Sequence, residues 1–351
     1  MERSREIVDE GRPRAAAIRV TAVIDAYNYG RFIEEAIESV LRQDFPAEEL
    51  EVLVVDDGST DDTGARVEKY GQRVQYVYKA NGGQASAFNW GIERARGEVV
   101  ALLDADDYWL PGKLRRVMEE FDKDASVGLV YHPLREYVAT RGEWRDGEFS
   151  AISGNVAKSR KAILQYTAAQ TSGLAFRRRF LQELVPLNEA MAFDADAVLV
   201  ALIIFLAPVT AVAEPLGVYR IHGENNYFDP DDQIDKKRQA RRIAMLKIVM
   251  EEIDRWLRGR GYDLEQPEIL AFRQRWRLLY EKEQFRYETP GRVRFFMHLL
   301  RAMTCMNPCL NPKIQTVNAM NAVGSLVFGY RDFTRFDKWR ISLKRSLARS
   351  S

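Results

Sequence analysis

A chain of 351 residues with 46% hydrophobic and 29% charged side chains has material for a large core, about two domains by the usual size prior. A net charge of +1 excludes a chain-wide polyanion-binding surface, so nucleic acid is not an expected partner, and two cysteines are too few for a disulfide framework. No apolar run reaches the roughly 18 residues of a spanning helix; residues 1–17 are charged throughout and read as a disordered segment rather than a secretory leader.

Val20-Thr21-Ala22-Val23-Ile24 is the first apolar run, and it spills into Asp25-Ala26-Tyr27-Asn28-Tyr29-Gly30. Phe32, Ile33, Ala36, Ile37, Val40 and Leu41 then share one helical stripe. A second run, Leu50 to Val55, ends in Asp56-Asp57-Gly58-Ser59, and the next helix is expected to start among Thr60, Asp61 and Asp62. A third strand pattern, Val74 to Tyr78, precedes Gly82-Gly83, which reads as a tight turn. Val99-Val100-Ala101-Leu102-Leu103 is a buried strand ending in Asp104-Ala105-Asp106-Asp107. Strands that end in polar loops and alternate with helices describe a Rossmann-like α/β half, with its ligand cleft along the strand ends. Neither a G-x-G-x-x-G after the first strand nor a G-x-x-x-x-G-K-[ST] is present, which removes dinucleotide and P-loop binding.

Asp104, Asp106 and Asp107 repel one another and ask for a cation. Oxygen-only ligands suit Mg²⁺ or Mn²⁺ completed by substrate phosphates, although acids here would also serve a turn that caps a helix.

The order of Tyr27-Asn28, Val55-Asp56-Asp57-Gly58-Ser59, Asn81-Gly82-Gly83-Gln84-Ala85-Ser86-Ala87-Phe88-Asn89-Trp90-Gly91-Ile92, Gly97-Glu98 and Asp104-Ala105-Asp106-Asp107 resembles a family-2 glycosyltransferase of the GT-A fold, over residues 18 to 222. The resemblance implies a mixed-sheet nucleotide-sugar-binding domain. It also implies inverting transfer of a sugar from a nucleotide diphosphate donor to an acceptor hydroxyl, with a divalent cation. On the matching positions it places Tyr27, Asn28, Asp56, Asp57, Gly83, Gln84 and Asp104 around the donor and Asp104, Asp106 and His222 around the metal. Such a cation offsets the charge of the leaving diphosphate.

An inverting transfer needs a base. Thr171-Ser172-Gly173-Leu174-Ala175-Phe176-Arg177-Arg178 resembles the strand before the family's base, and Phe193-Asp194-Ala195-Asp196-Ala197-Val198-Leu199 resembles the base segment. The spacing to Leu199 selects Asp196, with Asp194 as runner-up, because Ala195 stands where a Glu is usual. His222 sits in a Tyr-Arg-x-His segment, Tyr219 to His222. Two departures, Asp25 where a Pro is common and Phe88 where an Arg is common, are expected to bear on donor choice and not to touch the metal acids.

Residues 1–230 hold 27 basic and 37 acidic side chains against 25 and 14 in residues 231–351, so the C-terminal third is basic. It reads as helices over Ile243 to Leu257, Ile269 to Phe285, Arg292 to Met306 and Gln315 to Tyr330, broken at Gly259-Arg260-Gly261. Gln274-Arg275-Trp276 lacks the Gln of a Gln-x-x-Arg-Trp motif, since Phe272 stands four before Trp276, and it lies far beyond the base. Cys305 and Cys309 share a helical face as core. Phe295, Phe296 and Leu299 beside the basic tail suit docking on an anionic membrane surface, or packing on the catalytic domain.

The sequence thus predicts a disordered segment at 1–17, a GT-A domain at 18–230 and a helical extension at 231–351. The expected activity is glycosyl transfer to a saccharide or lipid-linked acceptor in cell-surface polysaccharide or glycolipid synthesis, cytoplasmic and peripheral to the inner membrane face. The other readings are a nucleotide-sugar binder without activity and a nucleotidyltransferase, for which Arg31 is the only nearby cation.

Overall fold

The computed structural model describes residues 17–146, 149–167, 169–225, 236–288 and 291–306. The first half runs β1 (Val20–Ala26), α1 (Gly30–Leu41), β2 (Leu50–Asp56), α2 (Thr63–Glu68), β3 (Gln75–Tyr78), α3 (Gln84–Arg94), β4 (Val99–Asp104), β5 (Tyr108–Trp109) and α4 (Lys113–Lys123). There follow β6 (Leu129–Tyr131), β7 (Arg135–Val138), β8 (Glu143–Asp146), α5 (Arg160–Gln165), β9 (Leu174–Arg177), α6 (Arg178–Leu181), α7 (Ala195–Ile203), β10 (Val209–Ala211) and β11 (Gly217–Ile221). Three helices end the described chain: α8 (Lys236–Gly259), α9 (Pro267–Glu288) and α10 (Arg292–Met306).

β1, β2 and β4 are apolar on nearly every residue because both faces of the sheet are covered. Val23, Leu53, Val55 and Leu102 pack on one side with Phe88 of α3 and Leu199 of α7, whereas Ile24, Val52, Val54 and Leu103 pack on the other with Ile33 of α1 and Leu114 of α4. The strand period of two therefore sends alternate residues into two separate layers. The seven-stranded sheet has the order β10-β6-β9-β4-β1-β2-β3. β1, β2, β3 and β4 are parallel, and β9 runs antiparallel between β4 and β6, so the sheet is mixed.

The parallel strands all end on one edge, which is where an open α/β sheet binds ligands. β9 enters that edge from the opposite direction and so carries Thr171 and Ser172 beside Asp104. A second sheet, β5-β11-β7-β8, hangs below β4; its β11 pairs with β5, which brings Arg220 and His222 back to the loop after Asp104.

The predicted stripe of α1 is buried at Ile33, Ala36, Ile37 and Val40. α2 starts at Thr63, and Asp61 serves two helix ends at once, accepting from the Thr63 N–H at 3.0 Å and from the Gly30 N–H at 2.9 Å. Met245, Val249, Ile253 and Leu257 of α8 and Ile269 and Phe272 of α9 join the same core as Val23 and Leu102. The predicted boundary at 230 lies within residues 226–235, outside the described residues, as do residues 1–16, Cys309 and the basic segment from Gln315 onward.

Candidate active site

A cavity of about 820 Å³ opens at the strand ends and is lined by Asp25, Tyr27, Asp57, Gly83, Gln84, Asp104 and Asp106 from the first half of the chain, together with Asp194 and Asp196. Ligand pockets commonly span roughly 300–1,000 Å³.

Carboxylate oxygens of Asp104, Asp106 and Asp107 lie within 4.8 Å of one another. Their environments differ. Asp107 is spent on the fold: Ser172 Oγ donates to it at 2.6 Å and the Arg220 N–H at 2.9 Å. Asp106 is met by His222 Nε2 at 2.9 Å, and the imidazole is held between Tyr29 and Phe32, with ring centroids 6.0 and 5.0 Å away. Asp104 receives a 3.4 Å contact from Gln84 Nε2, while its backbone N–H donates to Ser172 Oγ at 3.1 Å. Burial and then the charge of Asp25 push the Asp104 carboxyl well above the ordinary range.

Asp25 corrects one expectation. It stands directly opposite Asp104 in the β1–β4 register and shares a hydrogen bond with it, so the departure from Pro does touch the metal acids. The Asp25 carboxyl is raised to about 7: burial drives it up, the hydrogen bond to Asp104 partly offsets this, and the Asp106 charge adds to the rise. Its Oδ1 is buried without a hydrogen-bond partner. Packed carboxylates with an orphaned oxygen must hold protons or a cation. The residues present thus fit a hard divalent ion: the donor set is all oxygen, crowded and under-neutralised.

The second-strand acids are engaged within the protein. Asp56, 1% exposed, accepts from the Ser59 N–H at 2.7 Å and Tyr76 Oη at 2.9 Å. Asp57 accepts from Lys79 Nζ at 2.5 Å and from the Gly82 and Gly83 N–H groups at 3.0 and 2.7 Å. Of the pair, only Asp57 lines the cavity. Asn28, also absent from that lining, ties two loops: its Oδ1 accepts from the Thr60 N–H at 2.8 Å and its N–H donates to Ser59 Oγ at 2.8 Å. Tyr27 lines the cavity and is 47% exposed.

Gly83 has φ +82°, and a Cβ there would meet the Ala192 Cα at 2.5 Å, so a backbone-to-backbone approach demands glycine. That approach is fastened by Gln84 N–H to Ala192 O at 3.0 Å and Ala85 N–H to Met191 O at 3.2 Å. Gln84 then joins the halves of the site, since its Oε1 accepts from the Ala195 N–H at 3.1 Å while its Nε2 reaches Asp104.

Asp196 lies in the first turn of α7 and its Oδ2 accepts from Thr171 Oγ1 at 3.1 Å. Burial raises its carboxyl above the usual value, against the Thr171 hydrogen bond. Asp194, at φ +64° and 7% exposed, keeps Oδ2 buried with no hydrogen-bond partner; burial and then the Asp196 charge raise it strongly. Arg31, the cation considered for a triphosphate, is ion-paired with Glu224.

Sequence reasoning missed Asp25, Thr171 and Ser172 as site residues and excluded Arg275 and Trp276. Both of these last two line the cavity, being far from the base in sequence and near it in space.

Residues 21–185 match the description "Glycosyl transferase family 2". An uncharacterized glycosyltransferase of Nostoc sp. is 31% identical over 261 residues, covering 70% of this chain and 77% of that one. Among solved structures, residues 1–349 of S. aureus TarS in complex with UDP-GlcNAc align with TM-score 0.58 and 18% identity, covering 92% of each chain. The mannosyltransferase PcManGT of Pyrobaculum calidifontis, in complex with GDP-Man and Mn²⁺, aligns with TM-score 0.51 and 19% identity over 91% of this chain and 82% of that one. At these identities the two structures establish the fold, a GT-A-like mixed α/β architecture followed by helices.

Proposed function

Because the chain belongs to glycosyl transferase family 2, we propose that it moves a sugar from a nucleoside diphosphate to an acceptor hydroxyl, with inversion at the anomeric carbon. The observation that carries this reading is a single cavity in which the β4-end carboxylates and Asp196 are both wall residues and Gln84 touches both halves. TarS with UDP-GlcNAc and PcManGT with GDP-Man support a nucleotide-sugar donor here.

Asp104 and Asp106 would hold a divalent cation, Mn²⁺ or Mg²⁺; His222, expected from the sequence as a third ligand, instead hydrogen-bonds Asp106 through Nε2 and would fix that carboxylate. When bound, such an ion offsets the charge that builds on the departing diphosphate. Tyr27, Gly83 and Gln84 line the donor end, and Asp57 shapes it by holding the turn at Gly82-Gly83. Asp56 and Asn28 act one step back, through the Ser59-Thr60 loop.

Asp196 is the base. Thr171 Oγ1 donates to its Oδ2 and the Ala197 N–H to its Oδ1, which orient the carboxylate; a remaining lone pair accepts the proton of the acceptor hydroxyl as the hydroxyl oxygen attacks. Its raised pKa makes it a stronger base than a solvent-exposed aspartate. Asp194, in the left-handed residue before α7, shapes the segment rather than reacting.

We assign residues 18–230 as the catalytic unit and 231–351 as its helical extension. Phe295, expected on the docking face, is instead buried against Phe285; α10 exposes Val293, Met297 and Leu300, and this face is the one suited to an anionic membrane surface next to a saccharide or lipid-linked acceptor on the cytoplasmic side. Among the described residues no helix is long and apolar enough to cross a membrane. The test of the function is a thermal-shift panel of UDP-, GDP-, dTDP- and CDP-sugars with Mn²⁺, followed by donor hydrolysis. Stabilisation by one nucleotide class and release of its diphosphate are expected. A chain that no nucleotide sugar stabilises is not a transferase of this kind.

A further inference from the structure

The same cavity has a second chemical character away from its carboxylates. Another part of its wall is built from Tyr166, which follows α5, Arg241 of α8, and Arg275 and Trp276 of α9. Most arginines on these two helices are paired: Arg242 with Glu283, Arg255 with Glu252, Arg273 with Asp254 and Arg277 with Glu281. Arg241 and Arg275 have neither an ion pair nor a hydrogen bond among the described residues. The Tyr166 hydroxyl and the Trp276 indole N–H are likewise buried without a hydrogen-bond partner. Burial lowers the Arg275 pKa, with only the neighbouring Tyr166 opposing it. Arg241 is exposed and keeps its water. Arg275, the Tyr166 hydroxyl and the Trp276 N–H lose theirs without recovering a bond, and a folded chain rarely leaves such donors unmatched in one wall.

We propose that this wall is the acceptor subsite and that the acceptor carries a phosphate group, bound by Arg275 and Arg241 with Tyr166 and Trp276 donating to it. The assignment rests on the transferase reading, in which the β4-end acids serve the donor and Asp196 the acceptor hydroxyl. Electrostatics then orient the acceptor. Asp194 and Asp196 repel an anion, so the phosphate goes to the arginines and the neutral hydroxyl end to the base. A tetrahedral phosphate offers three or four oxygens to donors arriving from separate helices, whereas a carboxylate offers two in one plane.

The experiment uses the full chain with Mn²⁺ and the nucleoside diphosphate that stabilises it most. Calorimetric titrations with glucose 1-phosphate, glucuronate and glucose are run on the natural chain and on Arg275→Gln, Arg241→Gln and Tyr166→Phe. Glucose 1-phosphate should bind at least about tenfold tighter than the other two, and either arginine change should remove about tenfold of that affinity. Tyr166→Phe should weaken it severalfold without lowering the melting temperature, because the hydroxyl supports nothing in the fold. Nucleoside diphosphate affinity should stay constant throughout. Glucose or glucuronate binding as well as the phosphate would overturn the proposal. So would phosphate affinity indifferent to Arg241→Gln and Tyr166→Phe, or nucleotide affinity that falls with it. If no nucleoside diphosphate stabilises the chain, the transferase reading fails separately, and the same titrations on the unliganded chain still decide whether the wall binds phosphate.

Discussion

Gly83→Ala tests how the two halves of the site are held together. Gly83 sits at φ +82° and ψ 175°, a region essentially restricted to glycine where an L-residue costs about 1–3 kcal/mol, and its new Cβ would lie 2.5 Å from the Ala192 Cα. Ordinary contact between carbon atoms begins near 3.5 Å, so the backbones must separate by about 1 Å. That separation strains the bonds from Gln84 N–H to Ala192 O and from Ala85 N–H to Met191 O, worth roughly 1 kcal/mol each. The sum is about 3–5 kcal/mol. Gly71→Ala supplies the control: it shares a positive φ, +54°, but its Cβ meets nothing within 4 Å, so it should cost only about 1 kcal/mol. Differential scanning calorimetry should show Gly83→Ala melting several degrees below Gly71→Ala, at roughly 2 °C per kcal/mol for a domain of this size. Steady-state transfer should separate them further. The displaced segment leads directly into Asp194 and Asp196, and a misplacement of about 1 Å near reacting groups can cost on the order of 10²-fold in rate. Equal melting temperatures and equal turnover for the two variants would refute the close approach as the device that positions the base.

Chelation with EDTA should abolish transfer and Mn²⁺ or Mg²⁺ restore it, while Asp106→Asn lowers turnover by orders of magnitude without unfolding the chain; full activity in chelator ends the metal assignment. Asp196→Asn should remove transfer but keep nucleotide affinity, and Asp194→Asn should do far less; the reverse ranking would move the base to Asp194. Since burial raises the Asp196 carboxyl above its free value of 3.8, the acidic limb of the natural chain's pH–rate profile should lie above that of an exposed aspartate. Asp194, whose folded pKa is raised far above 3.8, holds its proton longer in the folded chain than in the unfolded one. Its contribution to stability is therefore lost as pH climbs past the unfolded value. Melting curves of Asp194→Asn and the natural chain should coincide near pH 4 and diverge in favour of the variant at pH 8, and parallel pH dependence would count against an unpaired buried carboxyl.

Much of the site could be read in the chain because it is built at strand ends, where an apolar run stops and a polar loop begins within a few residues. Unlike the start of α7, which came from the resemblance of Phe193 to Leu199 to the family's base segment, Asp104 and Asp106 were recognisable this way. Asp56 and Asp57 were found for the same reason, but their use was not: that Asp57 binds Lys79 and the Gly82-Gly83 turn depends on β2 lying beside β3. Asp25 looked like a departure confined to the donor, since nothing local says that β4 pairs with β1 in a register placing Asp104 opposite it.

Residue periodicity and punctuation by themselves determined the βα order from β1 to β4, the three helices of the C-terminal third and the acids at the ends of β2 and β4, because these follow from patterns no longer than one element. Tertiary structure alone decided which acids crowd together, which are already satisfied, and that Arg241, Arg275 and Trp276 belong to the cavity. Sheet register and the docking of α8 and α9 are set by contacts between residues far apart in the chain. Such contacts are selected by packing of the whole core, which no local pattern encodes.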